Sequence, residues 1–199
     1  MPSPQLPDFD AVGTKTLSPV KLAHVVLRTA ALERMTRYYV DFLGGKITHS
    51  NEVLSFISYD EEHHRIALIG IPDTQPKVPT SCGLEHVAFT FNTLADLAMS
   101  YRQRKSKGIS PVWSVNHGPT TSMYYRDPDG NMIETQVDNF DDLEEANAFM
   151  ASKHFAENPI GTDFDPEELI DSLRNGADEK QLKIRREIGP REMPDLAAL

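Results

Sequence analysis

An internal repeat constrains this chain more than any other feature. At an offset of 62 residues, Leu22 falls on Leu84, His24 on His86, Val25 on Val87, Leu32 on Leu94 and Tyr39 on Tyr101. Each half reads as strand, helix, then three strands. In the first half, 21–29 (KLAHVVLRT) is a β-rich run. A helix over 31–43 follows, with Leu32, Met35, Tyr38, Tyr39 and Phe42 at helical spacing. Gly44-Gly45 ends it as a helix C-terminus prefers. Strands are expected at 46–50, 53–59 and 64–71, with Asp60-Glu61-Glu62 as a polar turn. The second half repeats the order: a strand at 83–91, a helix at 93–107 carrying Leu94, Leu97, Ala98 and Tyr101 on one face, and strands at 110–115, 120–126 and 131–137. Asp127-Pro128-Asp129-Gly130 is a hairpin turn, because Pro presets one turn angle and Gly accepts the left-handed one.

Neither half can bury both its sheet and its helix alone. The expected fold is α+β: two paired βαβββ modules forming a curved mixed sheet around a shared cavity, with a C-terminal helical extension. Residues 1–18 read as an N-terminal arm, and 19–140 as the core, with modules at 19–72 and 83–140 separated by a proline-bearing linker. Residues 141–199 form an acidic extension with 15 acidic and seven basic side chains, a formal −8 against −2 for the rest. Within it, Asp165-Pro166-Glu167-Glu168 reads as a capped helix start, Asn175-Gly176 as its stop, and Asp178 as the start of a second short helix. The extension is poor in apolar residues, so it is expected to pack over the cavity mouth or onto a neighbouring subunit.

The net charge of −10 argues against nucleic acid or an anionic membrane as the main partner, since both reward clustered Lys and Arg. No apolar run approaches the ~20 residues of a membrane helix. The N-terminus lacks the basic-then-apolar order of a secretory signal. A cytoplasmic location is therefore the expectation. The single cysteine, Cys82, excludes an internal disulfide and a thiolate-cluster metal site.

The chemistry resides in histidines and one acid. His24 and His86 occupy the same point in the first strand of each module. Glu134 lies in the last strand of the second module. If Ile133 faces the helices, Glu134 faces the cavity. A lone strand histidine is ordinarily a hydrogen-bonded structural residue. Two in register with an inward acid instead make a two-histidine, one-carboxylate facial triad with open positions, suited to non-haem Fe(II). Mn(II) fits the same donors.

Paired modules carrying His24, His86 and Glu134 resemble the vicinal oxygen chelate superfamily. Within it, the chain is similar to the one-domain type I extradiol ring-cleavage dioxygenases, over about residues 20–138. The resemblance implies further roles. His64, second in the pair Glu62-His63-His64-Arg65, matches the catalytic histidine. His117 and Tyr124 match the histidine and tyrosine that hydrogen-bond substrate oxygens, with Tyr124 taken over its neighbour Tyr125. The metal-dependent glyoxalases usually take a carboxylate from the last strand of both modules, whereas RIALIGI here has none. The resemblance thus implies a homo-oligomeric, Fe(II)-dependent enzyme that takes a small aromatic diol and O2 and opens the ring beside the diol. Trp113, Phe89 and Met123 are expected pocket walls. A different metal-dependent member of the superfamily (an isomerase or lyase) and a non-catalytic small-molecule binding protein of the same fold are the competing readings.

Overall fold

Both expected modules form in the computed structural model, which describes residues 6, 8–11 and 13–195. The arm expected over 1–18 lies partly outside them. The first module comprises β1 (Val25–Thr29), α1 (Leu32–Leu43), β2 (Lys46–Ser50), β3 (Leu54–Ser58) and β4 (Ile66–Gly70). The second comprises β5 (His86–Thr90), α2 (Leu94–Ser106), β6 (Trp113–Asn116), β7 (Thr120–Arg126) and β8 (Met132–Asp138). In each, the first and last strands run parallel, Val25 beside Ile66 and His86 beside Met132, and the remaining pairs are antiparallel. The strand orders are β1-β4-β3-β2 and β5-β8-β7-β6, the second extended past β6 by one short strand of the C-terminal segment. β1 and β5 are therefore both edge strands.

The helices form where the apolar spacing demands. α1 buries Met35, Thr36, Tyr39 and Phe42 and stops at Gly44, whose φ of 61° lets its N–H reach the Val40 carbonyl. α2 starts at Thr93, whose hydroxyl accepts from the Asp96 N–H, and buries Leu94, Leu97, Ala98 and Tyr101. The Asp127–Gly130 turn closes as the sequence indicates, with Gly130 at a φ of 85°. The Asp127 carboxylate accepts from the Asp129 and Asn131 amides, and its other oxygen accepts from the Tyr39 hydroxyl at 3.0 Å.

That last contact reveals how the modules join. Met35 and Phe42 of α1, Ile57, Ile66 and Leu68 of the first sheet, Leu94 and Leu97 of α2, and Met123, Tyr125, Ile133 and Val137 of the second sheet form one continuous core. Phe42 meets Tyr125 edge-on at 5.0 Å, and the buried Arg104 donates through Nε to the Phe42 carbonyl at 2.8 Å. The helix-covered faces of both sheets share this core. Their opposite, open faces therefore both turn away from it.

The extension packs differently from expectation. It opens with two helices, α3 (Leu143–Met150) and α4 (Lys153–Glu157), and a two-residue strand, β9 (Thr162–Asp163). β9 pairs with β6 and widens the second sheet. α5 (Pro166–Arg174) then begins at Asp165 as the capping pattern requires, and α6 (Glu179–Lys183) follows an Asp178 cap. α5 lies on α2, placing Leu169 and Ile170 in the main core, while Glu167 takes Lys105 at 2.5 Å and the Tyr101 hydroxyl at 2.7 Å. The amphipathic stripe of α5 thus finds a partner within its own chain, on the helix side of the second module and away from its open face.

Candidate metal centre

Strand alternation puts His86 and Glu134 on the open face of the second sheet, because Phe89 of β5 and Ile133 of β8 face the core. His86 Nε2 lies 3.0 Å from Glu134 Oε2. That is about the spacing of adjacent ligand atoms around an ion with bonds of ~2.1 Å. Glu134 is 5% exposed. Burial raises its pKa, but hydrogen bonds from His86 and Ser122, with the charge of His86, outweigh this and keep the carboxyl below its ordinary range. The same hydrogen bond pushes His86 up, against the opposing effect of burial. A buried, ionised carboxylate and an imidazole nitrogen aimed at one point are a fitting pair of donors for a divalent cation.

Tyr124 stands directly across from Glu134 in the β7–β8 register. Its hydroxyl is 2.9 Å from His117 Nε2. His117 Nδ1 is 2.5 Å from the Ile160 carbonyl. A carbonyl only accepts, so Nδ1 carries the proton and Nε2 is left to accept from Tyr124. Burial pushes the Tyr124 phenol far up, assisted by the charge of Glu134, and holds His117 below the ordinary histidine value. Both are therefore neutral at pH 7. Trp113 stacks on Tyr124 with ring centres 5.0 Å apart and donates to Asp163 at 2.7 Å. Tyr125 turns the other way, fully buried in the core. Met123 and Phe89 also lie on the core side, so of the three expected pocket walls only Trp113 is on this face.

His24 and His64 sit on the open face of the first sheet. His24 precedes β1 and is exposed. Its ring lies 4.3 Å from that of His64, which is 8% exposed and stacks on Phe56 at 4.4 Å. Burial first, and the neighbouring His24 second, lower the His64 pKa. His63 contacts His64 through the Nδ1 atoms at 2.6 Å, and its side chain is 68% exposed. The six residues expected at one centre thus fall into two groups: His24 with His64, and His86, Glu134, Tyr124 and His117. Among the described residues, no three of His, Cys, Asp and Glu gather as a metal site.

Several residues of this region escape sequence reasoning. Ser122 shares the face of Tyr124 two positions away, a signal that simple alternation would have given. The Ile160 carbonyl has no sequence signature. Arg185, 6% exposed, ties the loop together by donating to the carbonyls of His117, Asn158 and His154 while pairing with Glu187.

Residues 21–135 match the model of the Glyoxalase/Bleomycin resistance protein/Dioxygenase superfamily. The chain belongs to that superfamily. Among its relatives are two proteins of Rhodococcus globerulus. Biphenyl-2,3-diol 1,2-dioxygenase 3 is 45% identical over 172 residues, covering 85% of this chain and 90% of that protein. Biphenyl-2,3-diol 1,2-dioxygenase 2 is 45% identical over 157 residues, covering 78% and 83%. The superfamily fold is also that of a glyoxalase/dioxygenase from Nostoc punctiforme, with a TM-score of 0.50 and 20% identity over 63% of this chain and 98% of that one. A glyoxylase/bleomycin resistance protein/dioxygenase domain from Frankia sp. EAN1pec aligns with a TM-score of 0.51 at 17% identity, covering 61% and 93%. Among the described residues, no helix is long and apolar enough to cross a membrane.

Proposed function

We propose that the protein is an Fe(II)-dependent extradiol dioxygenase that opens a catechol-type ring beside its two hydroxyls and places both atoms of O2 in the product. The observation that carries this reading is the Tyr124–His117 pair standing against Glu134. Binding a metal requires neither residue, whereas a phenol donor and an imidazole beside the carboxylate suit a substrate oxygen held next to the metal. The diol class follows from the names of the two relatives at 45% identity, which makes 2,3-dihydroxybiphenyl the first substrate to test.

His86 and Glu134 would hold the iron together with His24. Bound there, Fe(II) supplies a Lewis acid that lowers the diol pKa and an electron path between diol and O2. The protein's own groups handle orientation and protons. Tyr124 stays protonated, so its hydroxyl can donate to an ionised diol oxygen. Without substrate that proton points to His117 Nε2; once the hydroxyl turns to the diol, Nε2 is released to accept from the substrate's other hydroxyl. Trp113 gives the ring a flat apolar wall. His64 is held neutral, so it can take the proton released by a diol hydroxyl and return it to the opening ring, leaving the overall proton count unchanged.

The test is metal analysis of anaerobically purified, Fe(II)-loaded protein, followed by oxygen-electrode assays over a panel of aromatic diols. Stoichiometric iron with O2 consumed one-for-one against a yellow ring-opened product is expected. Iron-loaded protein that consumes no O2 with any diol overturns the proposal.

A further inference from the structure

The C-terminal extension reaches the candidate site through Arg185. We infer that Arg185 is a positioning residue for the proposed reaction: it holds His117 in the form that carries its proton on Nδ1, so that Nε2 stays an acceptor beside Tyr124. This rests on the dioxygenase reading above and adds a residue of the extension to its machinery.

A single nitrogen makes the key contacts. Nη1 of Arg185 donates to the His117 carbonyl at 3.1 Å and to the Asn158 carbonyl at 2.6 Å. Those two carbonyls flank the hydrogen bond between His117 Nδ1 and the Ile160 carbonyl. One belongs to the residue that carries the ring. The other begins the turn that carries the acceptor. Asn158 closes that turn with its side chain, accepting from the Gly161 amide at 2.8 Å and donating to the Gly161 carbonyl at 3.1 Å. His117 and Ile160 lie 43 residues apart in the chain, and Arg185 bridges the two segments.

The rest of the guanidinium leaves no slack. Nη2 donates to the His154 carbonyl at 3.1 Å and to Glu187 at 2.8 Å, and Nε donates to Glu187 at 3.0 Å. All five N–H groups are thus used, and the side chain is 1% exposed. The chain on either side is tied down as well. The Lys183 carbonyl accepts from Asn116 at 3.0 Å and the Arg186 carbonyl from Thr162 at 2.6 Å. Phe149 lies with its ring centre 5.0 Å from the guanidinium and packs so close to Gly118 that a Cβ there would meet it at 2.1 Å.

Fold stability alone is a poor account of this arrangement. Burying a charge is costly, and well-packed apolar side chains stabilise as much or more. What a planar fork adds is direction. In a neutral imidazole, the proton sits on the nitrogen whose partner can only accept. Loosening the Ile160 carbonyl would let the proton move to Nε2. That nitrogen would then donate to the Tyr124 oxygen instead of accepting from it, and would have no lone pair for a substrate hydroxyl.

The experiment reads the ring directly. Full-length protein labelled with ¹⁵N-histidine is measured metal-free by NMR, because high-spin Fe(II) broadens nearby signals. His117 is assigned as the resonance lost in His117→Asn. Wild type should show His117 protonated on Nδ1. Arg185→Lys keeps the charge but not the fork. It should stay folded by circular dichroism, lose the Nδ1-protonated form in whole or part, keep its Fe(II) and fall about 10- to 100-fold in kcat/KM for diol cleavage. Because Arg185 acts through His117 and Tyr124, the double variant Arg185→Lys/Tyr124→Phe should be no slower than Tyr124→Phe, whereas independent losses would multiply. If Arg185→Lys does not fold, Glu187→Gln, at the exposed end of the same fork, should shift His117 the same way but less far. A folded variant that keeps the His117 proton on Nδ1, or losses that multiply, overturns the positioning role and leaves the dioxygenase reading intact. So does wild type with that proton on Nε2. Iron-loaded wild type that cleaves no diol overturns the dioxygenase reading, and the positioning role for that reaction falls with it.

Discussion

At the scale of single residues, the site is a problem of fixing protons. His117 donates through Nδ1 to Ile160 and accepts at Nε2 from Tyr124. Removing the tyrosine hydroxyl should leave the ligands in place and remove only the donor. Tyr124→Phe is expected to keep its iron and lose about 10- to 100-fold in kcat/KM, the value of one hydrogen bond to a charged oxygen. Anaerobic iron analysis beside steady-state kinetics checks both halves. His64→Gln should likewise keep iron and diol affinity but lose ~10²–10⁴-fold in ring cleavage, as when a general acid–base is removed. His63→Gln should do far less, because its ring is mostly in solvent. A crippled His63 variant would reverse that assignment. Alternation says only that Tyr124 and Tyr125 face opposite sides; Tyr124 was chosen on the resemblance, and the β7–β8 register sets it across from Glu134. The Ile160 carbonyl on His117 was not legible, because a backbone acceptor 43 residues away leaves no mark on the sequence.

At the scale of elements, the repeat made ten of the strands and helices readable, since both modules bury one face at a regular period. The segments that were missed have no such period. α3 and α4 bury no residue, and β9 is a strand only because β6 pairs with it. These short pieces nevertheless position the site. Gly161 has a φ of 107°, and a Cβ there would lie 2.2 Å from the Asn116 carbonyl oxygen. Gly161→Ala should push β9 from β6 and draw Ile160 off His117. We expect a loss of at least about 1–3 kcal/mol in urea unfolding from the backbone strain alone, with a fall in kcat. The docking of α5 on α2 should respond to pH. Lys105 and Tyr101 lower the Glu167 pKa from 4.5 to about 2. A carboxyl depressed by folding adds stability above its unfolded pKa and loses it as pH falls through the folded one. Glu167→Gln should therefore lower the melting temperature slightly near pH 6, and the gap to wild type should close between about pH 4.5 and 2. A gap that persists at pH 2 would assign the effect to packing.

At the scale of the whole molecule, the sequence announced two modules but not which faces they would share. Apolar periodicity says that a face is buried and is silent about its partner. Here the helix faces are buried together in one core and the ligand faces are left outward, His24 and His64 on the first sheet and His86 and Glu134 on the second.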